Sequence, residues 1–167
     1  VSLIEKVVIQ NTNTSGISFE HSQSVGHVIR DSVIQGGVKG VATDISSGGQ
    51  FTWYGGAILS LTGACFGIGS SQQQPILISG LLSELCSRLL TTNSPLEFPI
   101  TIEGCRWDHS ALNADGDMIV LQSSSLNLIG NTFGGGGPAN IPYVRINDNG
   151  SLPVIKVSAI NNTWLIT

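Results

Sequence analysis

Five charged side chains between positions 103 and 117 are the strongest candidates for chemistry in this sequence. They are Glu103, Arg106, Asp108, Asp115 and Asp117. Glycoside hydrolysis needs two carboxyl groups that face each other across a groove, roughly 5–10 Å apart. The group offers an acid, a base and an arginine that would hold an anionic sugar, and Arg106 is also the candidate for the basic residue that a polysaccharide lyase needs. The alternative is an exposed charged patch without catalytic function.

The segment Asn113–Asp117 is the densest acidic cluster, and alternate oxygen ligands of this kind are able to hold Ca²⁺. The EF-hand pattern fails, because Met118 stands where glycine is required and Ser124 stands where glutamate is required. Asp and Gly also favour a turn, here just before the β-prone run Met118–Gln122. We therefore predict no metal and no cofactor, with calcium an unsupported option.

Three aromatic residues are candidates for glycan binding, because an exposed ring stacks on the apolar face of a sugar. Trp53 and Tyr54 are adjacent, so in a strand they point to opposite faces and at least one should lie outside. Tyr143 is the third candidate. The alternative role of these rings is lateral packing against a sister chain.

The composition excludes several classes of protein. The chain of 167 residues carries only 7 Lys and Arg and 11 Asp and Glu. Seven scattered basic residues form no patch for a phosphate backbone, so we expect no nucleic-acid partner. No run of 18 apolar residues is present, so we expect no membrane insertion. The chain begins at Val1 without an initiator Met or a signal sequence, which predicts one domain over residues 1–167 that belongs to a longer chain.

An eight-residue pattern recurs along the chain: apolar-x-apolar-x-(Gly/Asn)-x-x-aromatic. Four segments match it closely and three match it loosely. The close copies are Leu59–Phe66, Ile100–Trp107, Leu126–Phe133 and Val157–Trp164, and the loose copies are Val7–Thr14, His27–Ile34 and Ile76–Ser83. Their spacing averages 25 residues, which is the size of one unit in a repeat protein.

The pattern has a direct structural interpretation. Two apolar residues at spacing two point to one face of a strand, and Gly, Asn or Asp two positions later tolerates the positive φ of a corner. The aromatic residue then points inward from the next strand. We expect Leu61, Ile102 and Leu128 to stack in line inside, with Glu103 and Ile129 facing away. A further β-prone run precedes most copies, so each unit should hold three short strands.

The segments LNLIGNTF (Leu126–Phe133) and ITIEGCRW (Ile100–Trp107) carry a resemblance to a known architecture. The pattern resembles the right-handed parallel β-helix of the pectate-lyase-like kind, which occurs in polysaccharide lyases, glycoside hydrolases and bacteriophage tailspikes. The looser copies extend the resemblance over nearly the whole chain. It implies an all-β solenoid of about seven coils.

A β-sandwich or jelly roll is the alternative fold, because it also contains short strands separated by Gly and Asn turns. The sequence Asp148-Asn149-Gly150 favours it as a hairpin signal, although Pro153 removes a hydrogen-bond donor from that pairing. Only Gly80–Leu90 has helical spacing, which indicates a short helix or a loop over one coil.

The three cysteines, Cys65, Cys86 and Cys105, lack the spacing of a zinc site or a disulfide framework. We expect buried free thiols, with Cys65 and Cys105 facing opposite ways and no disulfide between them. His27 occupies an apolar position of the repeat and is expected to be a core or semi-buried histidine.

The sequence is compatible with two functions. The first is a glycan-binding or structural module of a phage tailspike or tail appendage that recognises a bacterial surface polysaccharide. The second is a polysaccharide hydrolase or lyase that uses the carboxylates on the flank. The resemblance implies a location on the virion tail or outside the cell, and the uncapped ends of the column favour a homotrimer.

Overall fold

The chain is built from short strands. The computed structural model describes residues 2–19, 26–43, 50–69, 75–92, 98–108, 118–122, 125–134, 144–147 and 156–165. Eighteen strands lie in these ranges: β1 (Leu3–Glu5), β2 (Val8–Phe19), β3 (His27–Arg30), β4 (Val33–Thr43), β5 (Phe51–Tyr54), β6 (Ala57–Leu61), β7 (Ala64–Ile68), β8 (Ile76–Ser79), β9 (Leu82–Glu84), β10 (Arg88–Thr92), β11 (Ile100–Glu103), β12 (Arg106–Asp108), β13 (Ile119–Gln122), β14 (Leu126–Ile129), β15 (Thr132–Gly134), β16 (Val144–Asn147), β17 (Val157–Ile160) and β18 (Thr163–Leu165).

All of the strand pairs are parallel, and each strand pairs with the strand one coil away. Sheet 1 has seven strands in the order β1-β3-β5-β8-β11-β14-β17. Sheet 2 has two rows that share the long strands β2 and β4: the row β6-β9-β12-β15-β18 continues from one part of β4, and the row β7-β10-β13-β16 continues from the other. The prediction of an all-β parallel β-helix is confirmed, and the β-sandwich is excluded because its sheets are antiparallel.

The three-strand unit is complete in four coils rather than in the expected seven. These coils are β5–β7, β8–β10, β11–β13 and β14–β16. In the two coils before them the second and third strands are merged into β2 and β4, and the last described coil contributes only β17 and β18. The proposed hairpin at residues 148–150 lies outside the described residues.

One corner of the solenoid repeats at every level of sheet 1. Seven residues in equivalent positions have φ between 48° and 66°: Lys6, Asp31, Gly55, Gly80, Gly104, Gly130 and Asn161. This is the left-handed region, which glycine and asparagine adopt at the lowest steric cost. The corner predicted from the repeat pattern is therefore present.

Five of the seven predicted copies have the correct register, and two do not. Val7–Thr14 and Leu59–Phe66 each lie one corner too far along the chain. The first contains the second corner of its coil, at Asn11, and the second spans the corner between β6 and β7. The inward column on sheet 2 is instead Ile9, Ile34, Ile58, Ser83, Trp107, Phe133 and Trp164, with steps of 25, 24, 25, 24, 26 and 31 residues. The true repeat is thus more regular than the sequence pattern suggested.

The core is a set of columns that run along the axis of the solenoid. Ile102 pairs with Leu128 on one side and with Ile78 on the other, so these three residues stack in line. Glu103 and Ile129 lie on the outer face of the sheet, as predicted. The prediction for Leu61 was wrong, because Leu61 is buried on sheet 2, opposite Gly37. The residue of that coil that stacks in line with Ile78 is Trp53.

The cysteines are all buried free thiols, as predicted. The expectation that Cys65 and Cys105 face opposite ways was wrong, since both side chains are in the core. Cys65 Sγ lies 3.0 Å from Ser83 Oγ. The amide N–H of Leu81 donates to Cys105 Sγ over 3.4 Å, and burial raises the pKa of Cys105 to about 11. A thiol in this environment is a weak nucleophile at neutral pH.

Gly80–Leu90 forms a corner, strand β9 and the start of β10, so its helical spacing was misleading. His27 is semi-buried, as predicted, and its ring stacks on Phe19 at 4.4 Å between centroids. Burial lowers the pKa of His27.

Within the described ranges no helix has the length and apolar character needed to cross a membrane.

Candidate functional site

The outer face of sheet 1 carries a straight ladder of side chains, one from each successive strand. Going along the solenoid, the register places Glu5, Arg30, Tyr54, Ser79 and Glu103 next to one another. Neighbouring strands are about 4.8 Å apart, so these five residues span about 19 Å. We call them the outer ladder.

Tyr54 is the aromatic residue of the outer ladder. Tyr54 is 38% exposed, and the guanidinium carbon of Arg30 lies 5.9 Å from the centroid of the Tyr54 ring. This distance is within the range of a cation–π contact. Arg30 also pairs loosely with Glu5, at 3.9 Å between Nη1 and Oε1. The ladder therefore combines a ring, a cation and carboxylates on one exposed face.

Trp53 and Tyr54 point to opposite faces, as adjacent strand residues must. Trp53 is fully buried, its ring meets Phe66 edge to face, and its Nε1–H donates to the carbonyl of Gly55. Trp53 is therefore not placed to stack on a glycan, and its assignment as a glycan-binding residue is corrected to a core role. Tyr143 lies outside the described residues.

A second outward column on sheet 1 carries small polar groups beside the outer ladder. It contains Thr52, Thr101, Asn127 and Ser158, interrupted by Leu77. Asn127 Nδ2 donates to Thr101 Oγ1 over 3.3 Å. Side chains on a regular sheet stand at fixed intervals, so this face presents hydroxyl and amide groups in a repeating array.

The predicted charged group is divided between two sheets. Arg106 and Asp108 lie together on the outer face of β12, with Arg106 Nη2 donating to Asp108 Oδ2 over 3.0 Å. Glu103 lies before the corner on sheet 1, between Ser79 and Ile129. Asp115 and Asp117 lie outside the described residues. The structure thus brings Arg106 and Asp108 together and places Glu103 on a separate face.

Glu84 is a carboxylate that the sequence argument missed. It stands directly opposite Asp108 in the pairing of β9 with β12. On the other side of Asp108 the neighbouring residue is Gly134, and Asp108 Oδ1 lies 3.0 Å from where a Cβ on Gly134 would be. The two carboxylates therefore lie on adjacent strands beside Arg106. Counting back 24 residues from Asp108, one coil of the true repeat, would have found Glu84.

No family model, curated protein or solved structure matches this chain. Among the described residues, no group of three or more His, Cys, Asp or Glu side chains is arranged to hold a metal ion.

Proposed function

We propose that this chain is a glycan-binding or structural module of a phage tailspike or tail appendage, on the virion tail or outside the cell, that recognises a bacterial surface polysaccharide. The observation that carries the proposal is the exposed Tyr54 ring on the flat outer face of a parallel β-solenoid, next to Arg30. The resemblance of the repeat pattern to the pectate-lyase-like β-helix supports the finer assignment to a tailspike.

The chemistry of the outer face suits a carbohydrate polymer. A pyranose has an apolar face, which packs on a ring, and equatorial hydroxyl groups, which exchange hydrogen bonds with hydroxyl and amide side chains. The outer ladder and the column of Thr52, Thr101 and Asn127 supply both kinds of contact along one direction. A chain of sugars lying along the solenoid axis would contact several strands at once, so weak contacts would add up.

Tyr54→Ala is expected to weaken polysaccharide binding at least tenfold, which corresponds to about 1.4 kcal/mol. The ring provides the apolar contact, and its loss also removes the support for the Arg30 guanidinium. The measurement is isothermal titration calorimetry against purified capsular and O-antigen polysaccharides. Val8→Ala is the matched control, since Val8 is an exposed apolar residue on the other sheet. Equal affinities of Tyr54→Ala and the wild type would refute the role of Tyr54.

The alternative is a polysaccharide hydrolase or lyase, and the pairing of Glu84 with Asp108 beside Arg106 favours it. Two carboxyl groups near each other are the minimal equipment for glycoside hydrolysis. Incubation of the protein with the same capsular and O-antigen polysaccharides distinguishes the two functions. A hydrolase releases new reducing ends and a lyase releases unsaturated uronic acid that absorbs in the ultraviolet, whereas a binding module leaves the polymer intact.

We also propose that the module acts as a homotrimer. Trp164 and Leu165 of β18 and Ile160 of β17 are 37%, 52% and 52% exposed, which leaves an apolar surface at this end. Exposed apolar groups favour association. Sedimentation equilibrium at tens of micromolar should give three times the mass of the chain. A monomer at this concentration would rule out the trimer.

A further inference from the structure

At a second corner of the solenoid, two residues other than glycine and asparagine adopt the left-handed conformation. Ser60, near the end of β6, and Leu85, directly after β9, occupy equivalent positions, and both have φ of 57°. The two preceding coils have Asn11 and Gly36 at this corner, with φ of 54° and 70°. Asn and Gly adopt this conformation readily, whereas a leucine clashes with its own backbone there. Backbone strain of this kind clusters at functional sites, which makes this corner a candidate site.

Burial gives no compensation for the conformation of Leu85. Its side chain is 48% exposed, so it contributes little to the core. An exposed leucine in a left-handed corner is unfavourable both for the backbone and for the hydration of the side chain. Its side chain is therefore available to a ligand at this corner.

Leu85 forms one wall of a groove at this corner. The groove has a volume of about 250 Å³ and is lined by Ser60, Leu61, Thr62, Leu85 and Ser87. Leu85 is the exposed leucine of this lining and Leu61 is buried, and three residues supply hydroxyl groups. The Thr62 hydroxyl donates to the carbonyl of Gly37 over 3.3 Å, which fixes its oxygen as an acceptor. None of the five lining residues is charged.

We propose that this groove binds one uncharged sugar ring of the polysaccharide, an inference that rests on the proposed glycan-binding function. Drug-sized ligands occupy sites of about 300–1,000 Å³, so a smaller groove suits a single ring. Leu85 contacts the C–H face of the ring, and the hydroxyl groups of Ser60, Thr62 and Ser87 form hydrogen bonds with its hydroxyl groups. An acidic sugar is disfavoured, because none of the lining side chains offers a compensating positive charge.

Leu85→Asn tests the site because it separates stability from binding. Asparagine tolerates the left-handed conformation, so the variant is expected to unfold at a higher temperature than the wild type. It also removes the apolar wall, so its affinity is expected to fall at least tenfold. The probe is the purified polysaccharide that binds the wild type most tightly. Saturation-transfer NMR with the methyl glycosides of its neutral and acidic constituents should show transfer to a neutral sugar in the wild type and none in Leu85→Asn.

Lys6→Asn is the matched control. Lys6 is also an exposed residue other than glycine, with φ of 54°, but it lies at the first corner, away from the groove. It is expected to gain stability in the same way and to keep full affinity. Thr62→Val, which replaces the hydroxyl group with a methyl group of similar size, should weaken binding and tests the site if Leu85→Asn fails to fold. Full affinity in Leu85→Asn would overturn the groove while leaving the proposed function standing. Absence of any polysaccharide binding by the wild type would overturn both.

Discussion

Gly56→Ala is expected to destabilise the protein by more than about 4 kcal/mol, a large part of the 5–15 kcal/mol that separates folded from unfolded domains. A Cβ on Gly56 would lie 2.1 Å from the carbonyl oxygen of Ser32 and 2.7 Å from its amide nitrogen. Both are backbone atoms of the neighbouring coil, and the same oxygen accepts the amide N–H of Ala57 over 3.0 Å. The clash is relieved only if two coils separate, which breaks this hydrogen bond.

Gly104→Ala is the control for the backbone conformation alone. Gly104 also has a positive φ, of 59°, but a Cβ there would meet nothing within 4 Å. This variant should lose only about 1–2 kcal/mol, the cost of a left-handed residue with a side chain. Urea unfolding followed by tryptophan fluorescence gives both values. Equal losses in the two variants would show that the contact with Ser32 has no energetic weight.

Asn131→Ala is expected to destabilise the protein by about 3–5 kcal/mol, because it leaves buried backbone groups without partners. Asn131 is 1% exposed, its Nδ2 donates to the carbonyl of Ile102 over 2.8 Å, and its Oδ1 accepts the amide N–H of Cys105 over 2.9 Å. The side chain thereby links the first corners of adjacent coils. Asn162 continues the arrangement, since its Oδ1 accepts both the backbone N–H and the Nδ2 of Asn131. Chemical unfolding in urea is the measurement.

Asn127→Ala provides the comparison for this prediction. Asn127 is a half-buried residue of the same coil, and its side chain donates to Thr101 on the outer face over 3.3 Å. Its loss should change the free energy of unfolding by less than about 1 kcal/mol, because solvent replaces the bond. If Asn127→Ala proved as costly as Asn131→Ala, burial would not be the reason that the Asn131 bonds matter.

The sequence pattern predicted the fold because one corner of the solenoid leaves a strong signature. Ile100, Ile102, Gly104 and Trp107 show it fully: two inward residues, a left-handed corner and an inward residue on the next strand. The copy in the third coil, which ends at Ile58, was missed because Leu59–Phe66 lies in the same coil and ends in an aromatic residue. Leu59–Phe66 matched the pattern by coincidence, since a glycine also lies at the next corner.

The candidate site was predicted only in part, because it depends on register between strands far apart in sequence. Arg106 and Asp108 share one face of one strand, so alternation was sufficient to place them together. The proximity of Glu84 follows from the pairing of β9 with β12. Alternation also showed that Trp53 and Tyr54 face opposite ways. The corner at Gly55 identifies Trp53 as the buried residue, because Gly55 follows Trp53 by two positions, just as Gly104 follows Ile102.

The parallel pairing of each strand with its neighbour one coil away also determines how the chain would fold. Closing a coil joins residues about 25 positions apart at nearly every level, so no step requires contact between the two ends of the chain. The loop entropy of each step is nearly the same, and growth proceeds one coil at a time from whichever coil forms first. The coils that hold Trp53, Phe66 and Trp107 bury the largest rings and are the natural nucleus. Because each coil contacts only its neighbours, local unfolding is expected to involve one coil at a time.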